Sequence, residues 1–191
     1  MRIIAGTAKG RRLQTPAKSS RRIRPTADRA REALFSIIGA EVVGATVLDL
    51  YAGTGAMGLE ALSRGAASAV FVDLHNEALS LIGKNIELCG FADRARVVRR
   101  DLTKGFLFLE QTAPATGFDL VFIDPPYGKA LASRALVGLA DLKLLAENTL
   151  VIAEEESGAV FVETYQGLRL CDRRRYGDTG FWLFRPEENV L

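Results

Sequence analysis

Residues 47–58 read Val47-Leu48-Asp49-Leu50-Tyr51-Ala52-Gly53-Thr54-Gly55-Ala56-Met57-Gly58. The apolar beginning predicts a buried strand, the glycines predict a tight loop, and the residues after them predict the start of a helix. Glycine allows a sharp turn and lets a ligand approach where a Cβ atom would collide. Gly53, Gly55 and Gly58 match the spacing of a dinucleotide-binding loop, but this match alone does not specify the ligand.

Asp49 helps to distinguish between possible cofactors, because it lies in the strand four residues before the first loop glycine. A dinucleotide-binding strand runs straight into its glycines and places a pyrophosphate on the helix N-terminus. A carboxylate aimed at the loop would repel pyrophosphate, whereas it suits the cationic methionyl part of S-adenosylmethionine. Asp49 is also expected to cap backbone amides of the loop, and the two roles are compatible.

Two further acids follow the next predicted strands. Asp73 ends the second strand, where a carboxylate can accept hydrogen bonds from both hydroxyls of a ribose. Asp101 follows the third strand, where it can accept from an adenine amino group with the backbone of Leu102 at the ring edge. Capping of the following helix explains Asp101 equally well. The predicted cofactor-binding residues are Asp49, Tyr51, Ala52, Gly53, Thr54, Gly55, Asp73, Leu74, Asp101 and Leu102.

The most specific functional signal is residues 118–127, an apolar strand that ends in an acid, two prolines and a tyrosine. Proline has no N–H and a fixed φ, so this backbone is rigid and presents carbonyls. A nucleobase amine is a poor nucleophile, because its lone pair is delocalised into the ring, and it needs acceptors for its two hydrogens. Asp124 and the Pro125 carbonyl can supply them, and Tyr127 can stack on the base for roughly 1–3 kcal/mol. The predicted catalytic residues are Asp124, Pro125, Pro126 and Tyr127.

The chain alternates between strand-like and helical patterns, which predicts a mainly parallel sheet with helices on both faces. A helix is expected from residue 25 or 26 to about residue 38. The expected strands are 46–50, 69–73, 95–99, 118–123 and 149–153, with helices at 57–64, 76–89, about 103–110, and 130–140. Residues 169–176 and 180–185 flank a turn and predict an antiparallel hairpin. The fold class is therefore α/β: a Rossmann-like class I methyltransferase with seven strands.

The positive charge of the chain is concentrated at its beginning. Residues 1–31 hold ten basic side chains and one acid, a net charge of +9, so the remainder must carry −7 to give the overall +2. A basic segment on an acidic body favours a polyanionic partner such as RNA. We predict an RNA-binding hairpin and arm at 1–25 and a methyltransferase domain at 26–191. The predicted RNA-binding residues are Arg11, Arg12, Arg21, Arg22, Arg24 and Arg29.

The composition of the 191 residues narrows the class of protein. No apolar run approaches the roughly 20 residues of a membrane span, and the basic start has no apolar segment typical of a secretory signal. Cys89 and Cys171 lie far apart and His75 is the only histidine, so neither a metal site nor a histidine-based triad is expected. These features favour a cytoplasmic protein without a metal, and they leave the oligomeric state open.

The motifs quoted above resemble those of the bacterial 16S rRNA guanine-N2 methyltransferases that act on guanine-966. The resemblance extends over nearly the whole chain. Its most selective part is the segment Arg24-Pro25-Thr26 with Asp28-Arg29 and Arg31-Glu32-Ala33-Leu34-Phe35, after which this chain has Ser36 where the family often has Asn. The resemblance implies methyl transfer from S-adenosylmethionine to N2 of one guanine in 16S rRNA, in an assembling or assembled small ribosomal subunit.

Other functions remain compatible with parts of the sequence. The acid-proline-proline-tyrosine loop fits adenine N6, cytosine N4 and guanine N2 equally well, so a DNA adenine-N6 methyltransferase is the first alternative. The chain leaves no room for a separate DNA-reading domain. A dinucleotide-dependent oxidoreductase is disfavoured by Asp49, and a non-catalytic RNA-binding module is disfavoured by the presence of both loops.

Overall fold

The computed structural model describes residues 1–16, 25–140, 142 and 144–187. Its strands form one sheet in the order β3-β2-β1-β4-β5-β8-β7-β6, in which β1 to β5 are parallel and β5, β8, β7 and β6 pair antiparallel. The strands are β1 Thr46–Leu50, β2 Ser68–Asp73, β3 Ala95–Arg99, β4 Phe118–Ile123, β5 Leu145–Glu156, β6 Thr164–Tyr165, β7 Leu168–Tyr176 and β8 Thr179–Pro186. The helices are α1 Pro25–Ile38, α2 Ala56–Ser63, α3 Asn76–Cys89 and α4 Leu131–Ala140.

The buried apolar residues form two clusters, as expected for a sheet covered on both faces. Val47 belongs to the cluster that contains residues of α1, α2 and α3, whereas Leu48 and Leu50 belong to the cluster that contains residues of α4. This division follows from the alternation of side chains along a strand. Within the described part of the chain, no helix has the length and apolar character needed to cross a membrane.

The predicted parallel strands and the C-terminal hairpin are confirmed, with two additions. β5 begins at Leu145 rather than at residue 149: Leu145 pairs with Phe118, and a register shift separates this pair from the pairing of Leu150 with Leu120. The two-residue strand β6 was not predicted, and it extends the expected seven strands to eight. A strand of two residues is too short to show an alternating pattern in the sequence.

The helix predicted at about residues 103–110 is wrong. The structure has two short 3₁₀ segments there, Leu102–Lys104 and Leu107–Gln111. Gly105 lies between them with φ 105° and ψ 179°, a conformation that is essentially restricted to glycine and incompatible with a continuous helix.

Residues 1–13 form the predicted hairpin and pack against α2. Arg2 and Arg12 pair antiparallel, and Ile3, Ala8 and Leu13 are buried in the same cluster as α1, α2 and α3. The buried carboxylate of Glu60 accepts hydrogen bonds from the backbone of Ile4 at 2.8 Å and of Ala5 at 3.1 Å. The hairpin therefore shares its core with the rest of the chain.

Candidate active site

The parallel topology brings the carboxyl ends of β1, β2, β3 and β4 to one edge of the sheet. β1 lies between β2 and β4, so the glycine loop after β1 is at the point where the strand order reverses. Ligands of open α/β sheets bind at this point. The loops after these four strands contain most of the residues that the sequence predicted as functional.

Asp49 is buried at the end of β1, and its Oδ2 accepts a hydrogen bond from the backbone N–H of Gly58 at 2.9 Å. The capping role expected from the sequence is thus present. Burial raises the pKa of Asp49 to about 7, the Gly58 hydrogen bond lowers it, and the neighbouring charge of Asp73 adds to the increase. A cation bound beside this buried carboxyl would stabilise its ionised form.

A depression of about 600 Å³ joins the loops after β1, β2, β3 and β4. It brings together ten residues singled out in the sequence: Tyr51, Gly53, Asp73, Leu74, Asp101, Leu102, Asp124, Pro125, Pro126 and Tyr127. Its lining also includes His75, Arg100, Thr103, Lys129 and Leu131. His75, the single histidine of the sequence, is the N-cap residue of α3.

The acids after β2 and β3 have backbone partners that position them. Asp73 accepts from the N–H groups of Gly53 and His75, both at 2.9 Å, and so ties the glycine loop to the end of β2. Asp101 accepts from the backbone N–H of Thr103 at 3.0 Å and from its hydroxyl at 2.6 Å, and these bonds lower its pKa. Asp101 therefore caps the 3₁₀ segment after it and also lines the depression.

A smaller cavity of about 140 Å³ shares Tyr51, Gly53 and Asp124 with the large depression. Its further lining residues include Arg31, Asp49, Ala52, Thr54 and Glu154. Gly55 lines neither space. A Cβ atom there would lie 3.3 Å from Cε1 of Phe71, and its φ of 76° is left-handed, so backbone conformation and packing explain this glycine.

The loop after β4 is held beside the loop after β1. The N–H of Asp124 donates to the carbonyl of Leu50 at 3.3 Å. Ile123 pairs with Ala153 on the parallel strand β5, which places Asp124 next to Glu154. Burial and the charges of Glu154, Asp49 and Glu155 raise the pKa of Asp124 well above its ordinary value.

Tyr127 is 38% exposed, and its hydroxyl donates to Oε1 of Glu154 at 2.7 Å. The next residue is also fixed, because the N–H of Gly128 donates to Oε1 of Glu155 at 3.1 Å. Burial, together with the nearby carboxylates, raises the pKa of Tyr127, so its phenol stays protonated and acts as the donor. An exposed ring with an anchored hydroxyl is suited to stacking on a planar group.

Sequence reasoning missed Glu154 and Glu155. Both follow the apolar run of β5, and strands of a parallel sheet end at a common edge. Asp73 and Asp124 were selected because each is an acid at the end of a predicted strand, and the same criterion could have found Glu154 and Glu155.

Of the arginines predicted to bind RNA, the three that the structure describes line neither the depression nor the small cavity. Arg12 and Arg29 are exposed, and Arg11 is exposed while donating to the carbonyl of Leu88. Arg21, Arg22 and Arg24 lie outside the described residues. No group of acids, cysteines and histidines suited to a metal ion occurs among the residues that the structure describes.

A family model described as conserved hypothetical protein 95 matches residues 1–185. The chain belongs to this family. It is 33% identical over 185 residues to YlbH of Bacillus subtilis strain 168, provisionally described as an rRNA methyltransferase, with 97% of this chain and 98% of that protein covered. It is 36% identical over 186 residues to ribosomal RNA small subunit methyltransferase D of Haemophilus influenzae, with 97% and 93% covered.

A solved structure supports the same grouping. The yhhF protein of Escherichia coli, provisionally described as a methyltransferase, is similar to this chain with a TM-score of 0.79 and 33% identity. The similarity covers 98% of each chain. The family resemblance and the Rossmann-like methyltransferase fold inferred from the sequence are confirmed.

Proposed function

We propose that this protein transfers a methyl group from S-adenosylmethionine to the exocyclic N2 amine of a guanine in 16S rRNA. The observation that carries the proposal is the position of the Asp124–Tyr127 loop, which shares one depression with the glycine loop and Asp73. The name of the Haemophilus influenzae relative supports rRNA of the small subunit as the substrate. Such a substrate is consistent with a cytoplasmic enzyme that acts on an assembling or assembled subunit.

The residues at the edge of the sheet fit this cofactor. Asp73 accepts two backbone hydrogen bonds and has further lone pairs that can accept from ribose hydroxyls. Asp101 and Leu102 line the same depression. Asp49, in the small cavity beyond Gly53, fits a cationic group. We assign the adenosine part to the large depression and the methionyl part to the small cavity.

The chain then has to present the base amine correctly. S-adenosylmethionine supplies a methyl group bound to a sulfonium, and the amine displaces this sulfur as its new N–C bond forms. Asp124 and the Pro125 carbonyl accept the two amine hydrogens and direct the nitrogen lone pair. The amine becomes acidic on methylation, and it loses one proton to Asp124 or to water. Tyr127 supports the base by stacking.

The target guanine is expected to be unpaired or flipped out, because a loop at the end of a buried strand cannot reach N2 in a duplex with the correct orientation. We retain as part of the proposal an RNA-binding extension at 1–25 and a methyltransferase domain at 26–191. The extension would hold rRNA phosphates while the Asp124–Tyr127 loop receives the base.

The direct test is incubation with labelled S-adenosylmethionine and 16S rRNA, free and assembled into small subunits. Label should appear in N2-methylguanine, and S-adenosylhomocysteine but not NAD should raise the melting temperature. Label in N6-methyladenine of DNA, or stabilisation by NAD alone, would contradict the proposal. Efficient methylation of a guanine in a stable perfect duplex would contradict the flipped-base part of it.

Substitution of Tyr127 tests the stacking role. Tyr127→Ala should lower methyl transfer about tenfold or more, because a base–aromatic contact is worth roughly 1–3 kcal/mol. Tyr127→Phe keeps the ring and loses only the hydrogen bond to Glu154, so a loss of a few-fold is expected. Glu154→Gln is the matched control, since its side-chain carbonyl can still accept from the phenol. Equal losses in both tyrosine variants would assign the function to the hydroxyl.

Charge reversal in the basic segment tests its role in RNA affinity. Replacing Arg11, Arg12, Arg21 and Arg22 with Glu should raise the apparent KM for rRNA. If all four contact phosphates, it should flatten the slope of log K against log salt by roughly three units. Replacing Lys84, Arg96, Arg169 and Arg175 with Glu, all at exposed positions on α3, β3 and β7, is the control that changes the net charge equally. An unchanged salt slope would show that RNA binds elsewhere.

A further inference from the structure

The guanidinium of Arg31 on α1 is buried and only partly satisfied. The residue is 4% exposed, and its Nη2 donates to the carbonyl of Arg2 at 2.7 Å and to Oδ1 of Asp28 at 3.0 Å. Its Nε is also buried, but it has no hydrogen-bond partner. Oε2 of Glu60 lies 3.9 Å away, too far for a hydrogen bond. A buried donor of a charged group without a partner is costly, so this atom calls for an explanation.

Arg31 lines the small cavity together with Asp49, Thr54 and Glu154. The cavity thus contains a buried guanidinium in addition to its carboxylates. Two acids near Arg31 already have other partners: Glu60 accepts from Ile4, Ala5 and Arg64, and Glu154 accepts from Tyr127. A ligand carboxylate would complete the hydrogen bonds of Arg31 without competing with these contacts.

The chemistry of this lining is that of a site for an amino-acid zwitterion. A guanidinium binds a carboxylate through charge-assisted hydrogen bonds, and in Arg31 the Nε–H is the donor left for one. A buried carboxylate binds an ammonium group. A cavity of about 140 Å³ has room for the end of an amino acid but not for a nucleoside. It shares Tyr51, Gly53 and Asp124 with the large depression, where the proposed function places adenosine.

We propose that Arg31 binds the carboxylate of the amino-acid end of S-adenosylmethionine, while Asp49 binds its ammonium group. The inference rests on the proposed function and adds to it a cofactor-binding residue that was not among the predicted ones. Arg31 then links α1, the hairpin residue Arg2 and the cofactor through one guanidinium.

The test compares ligands that differ only at this end. S-adenosylhomocysteine has the carboxylate and the ammonium, its decarboxylated analogue has only the ammonium, and 5′-methylthioadenosine has neither. Calorimetry should show that Arg31→Gln weakens S-adenosylhomocysteine roughly 10- to 100-fold, the usual range for hydrogen bonds between charged groups. The affinity of this variant for the two truncated ligands should equal that of the wild-type protein. Arg31→Lys keeps the charge but not the guanidinium geometry, so its affinity for S-adenosylhomocysteine should lie between those of Arg31→Gln and the wild-type protein.

Arg64→Gln is the matched control, because Arg64 also pairs with Glu60, at 2.7 Å, but does not line the cavity. It should leave the preference for S-adenosylhomocysteine over the truncated ligands unchanged. An equal loss for all three ligands in Arg31→Gln, or the same loss of preference in Arg64→Gln, would show that Arg31 acts only through packing. If Arg31→Gln does not fold, equal affinity of the original protein for S-adenosylhomocysteine and its decarboxylated analogue would overturn the inference.

Failure of this inference differs from failure of the proposed function. If the original protein binds S-adenosylhomocysteine and Arg31→Gln retains the full ligand preference, only the role of Arg31 is wrong. If the original protein binds none of the three nucleosides, the proposed function itself is wrong.

Discussion

Asp124→Ala should reduce methyl transfer by about 10²–10⁴-fold, the range reported for removing a positioned proton acceptor. Asp124 lies beside the glycine loop and next to Glu154, where it can accept a hydrogen bond from the base amine. This contact strengthens as the amine gains positive charge in the transition state, so its loss should lower kcat and leave the affinity for S-adenosylhomocysteine nearly intact. Single-turnover rates and calorimetry on the same preparation measure the two quantities.

The pH dependence of the reaction gives an independent check. The pKa of Asp124 is raised, so this carboxyl takes up a proton at a higher pH than an ordinary aspartate. The protonated form donates rather than accepts, and activity should decline as the pH falls through the raised pKa. Asp124→Asn should lose this part of the pH profile and retain some activity, because its carbonyl still accepts. Activity of Asp124→Ala within a few-fold of the original protein would make Asp124 structural.

Asp49→Asn should weaken the binding of S-adenosylmethionine about 100-fold, because a buried charge-assisted hydrogen bond is lost. The pKa of Asp49 is about 7, and a bound cation favours its ionised form. Binding should therefore release a proton, and affinity should rise with pH as the pH passes through about 7. The variant should lack both effects, and calorimetry in buffers of different ionisation enthalpy measures the proton release.

In the unliganded protein, Asp49→Asn should increase stability above about pH 7, although it weakens cofactor binding. Because folding raises the pKa of Asp49 from 3.8 to about 7, the folded state favours the protonated carboxyl. This contribution to the free energy of unfolding is fully present below the unfolded-state pKa of 3.8, and it is lost as the pH rises through about 7. Above that pH, Asp49→Asn should melt at a higher temperature than the original protein, since its amide can still accept from Gly58. Lower stability with unchanged affinity would leave Asp49 only its capping role.

The sequence was sufficient for most of the parallel part of the fold. β1, β3 and β4 have the predicted bounds, and β1 and β4 are short, mainly apolar runs between turn residues. The failed helix near Gly105 shows the limit of such patterns, since helical spacing of apolar residues does not reveal a backbone conformation that only glycine adopts. Asp73, Asp101 and Asp124 line one depression because parallel strands end at one edge of the sheet.

Only the tertiary structure decided which charges are buried together. Arg31, Asp49 and Glu154 lie far apart in the sequence, where Arg31 is counted among the ten basic side chains of residues 1–31. Folding removes Arg31 from water, ties it to Asp28 and Arg2, and places it in one cavity with Asp49 and Glu154. Burial then raises the pKa of Asp49 and of Glu154, and one guanidinium nitrogen is left without a hydrogen-bond partner. These effects depend on neighbours distant in the chain, whereas a strand and its following loop are set by adjacent residues.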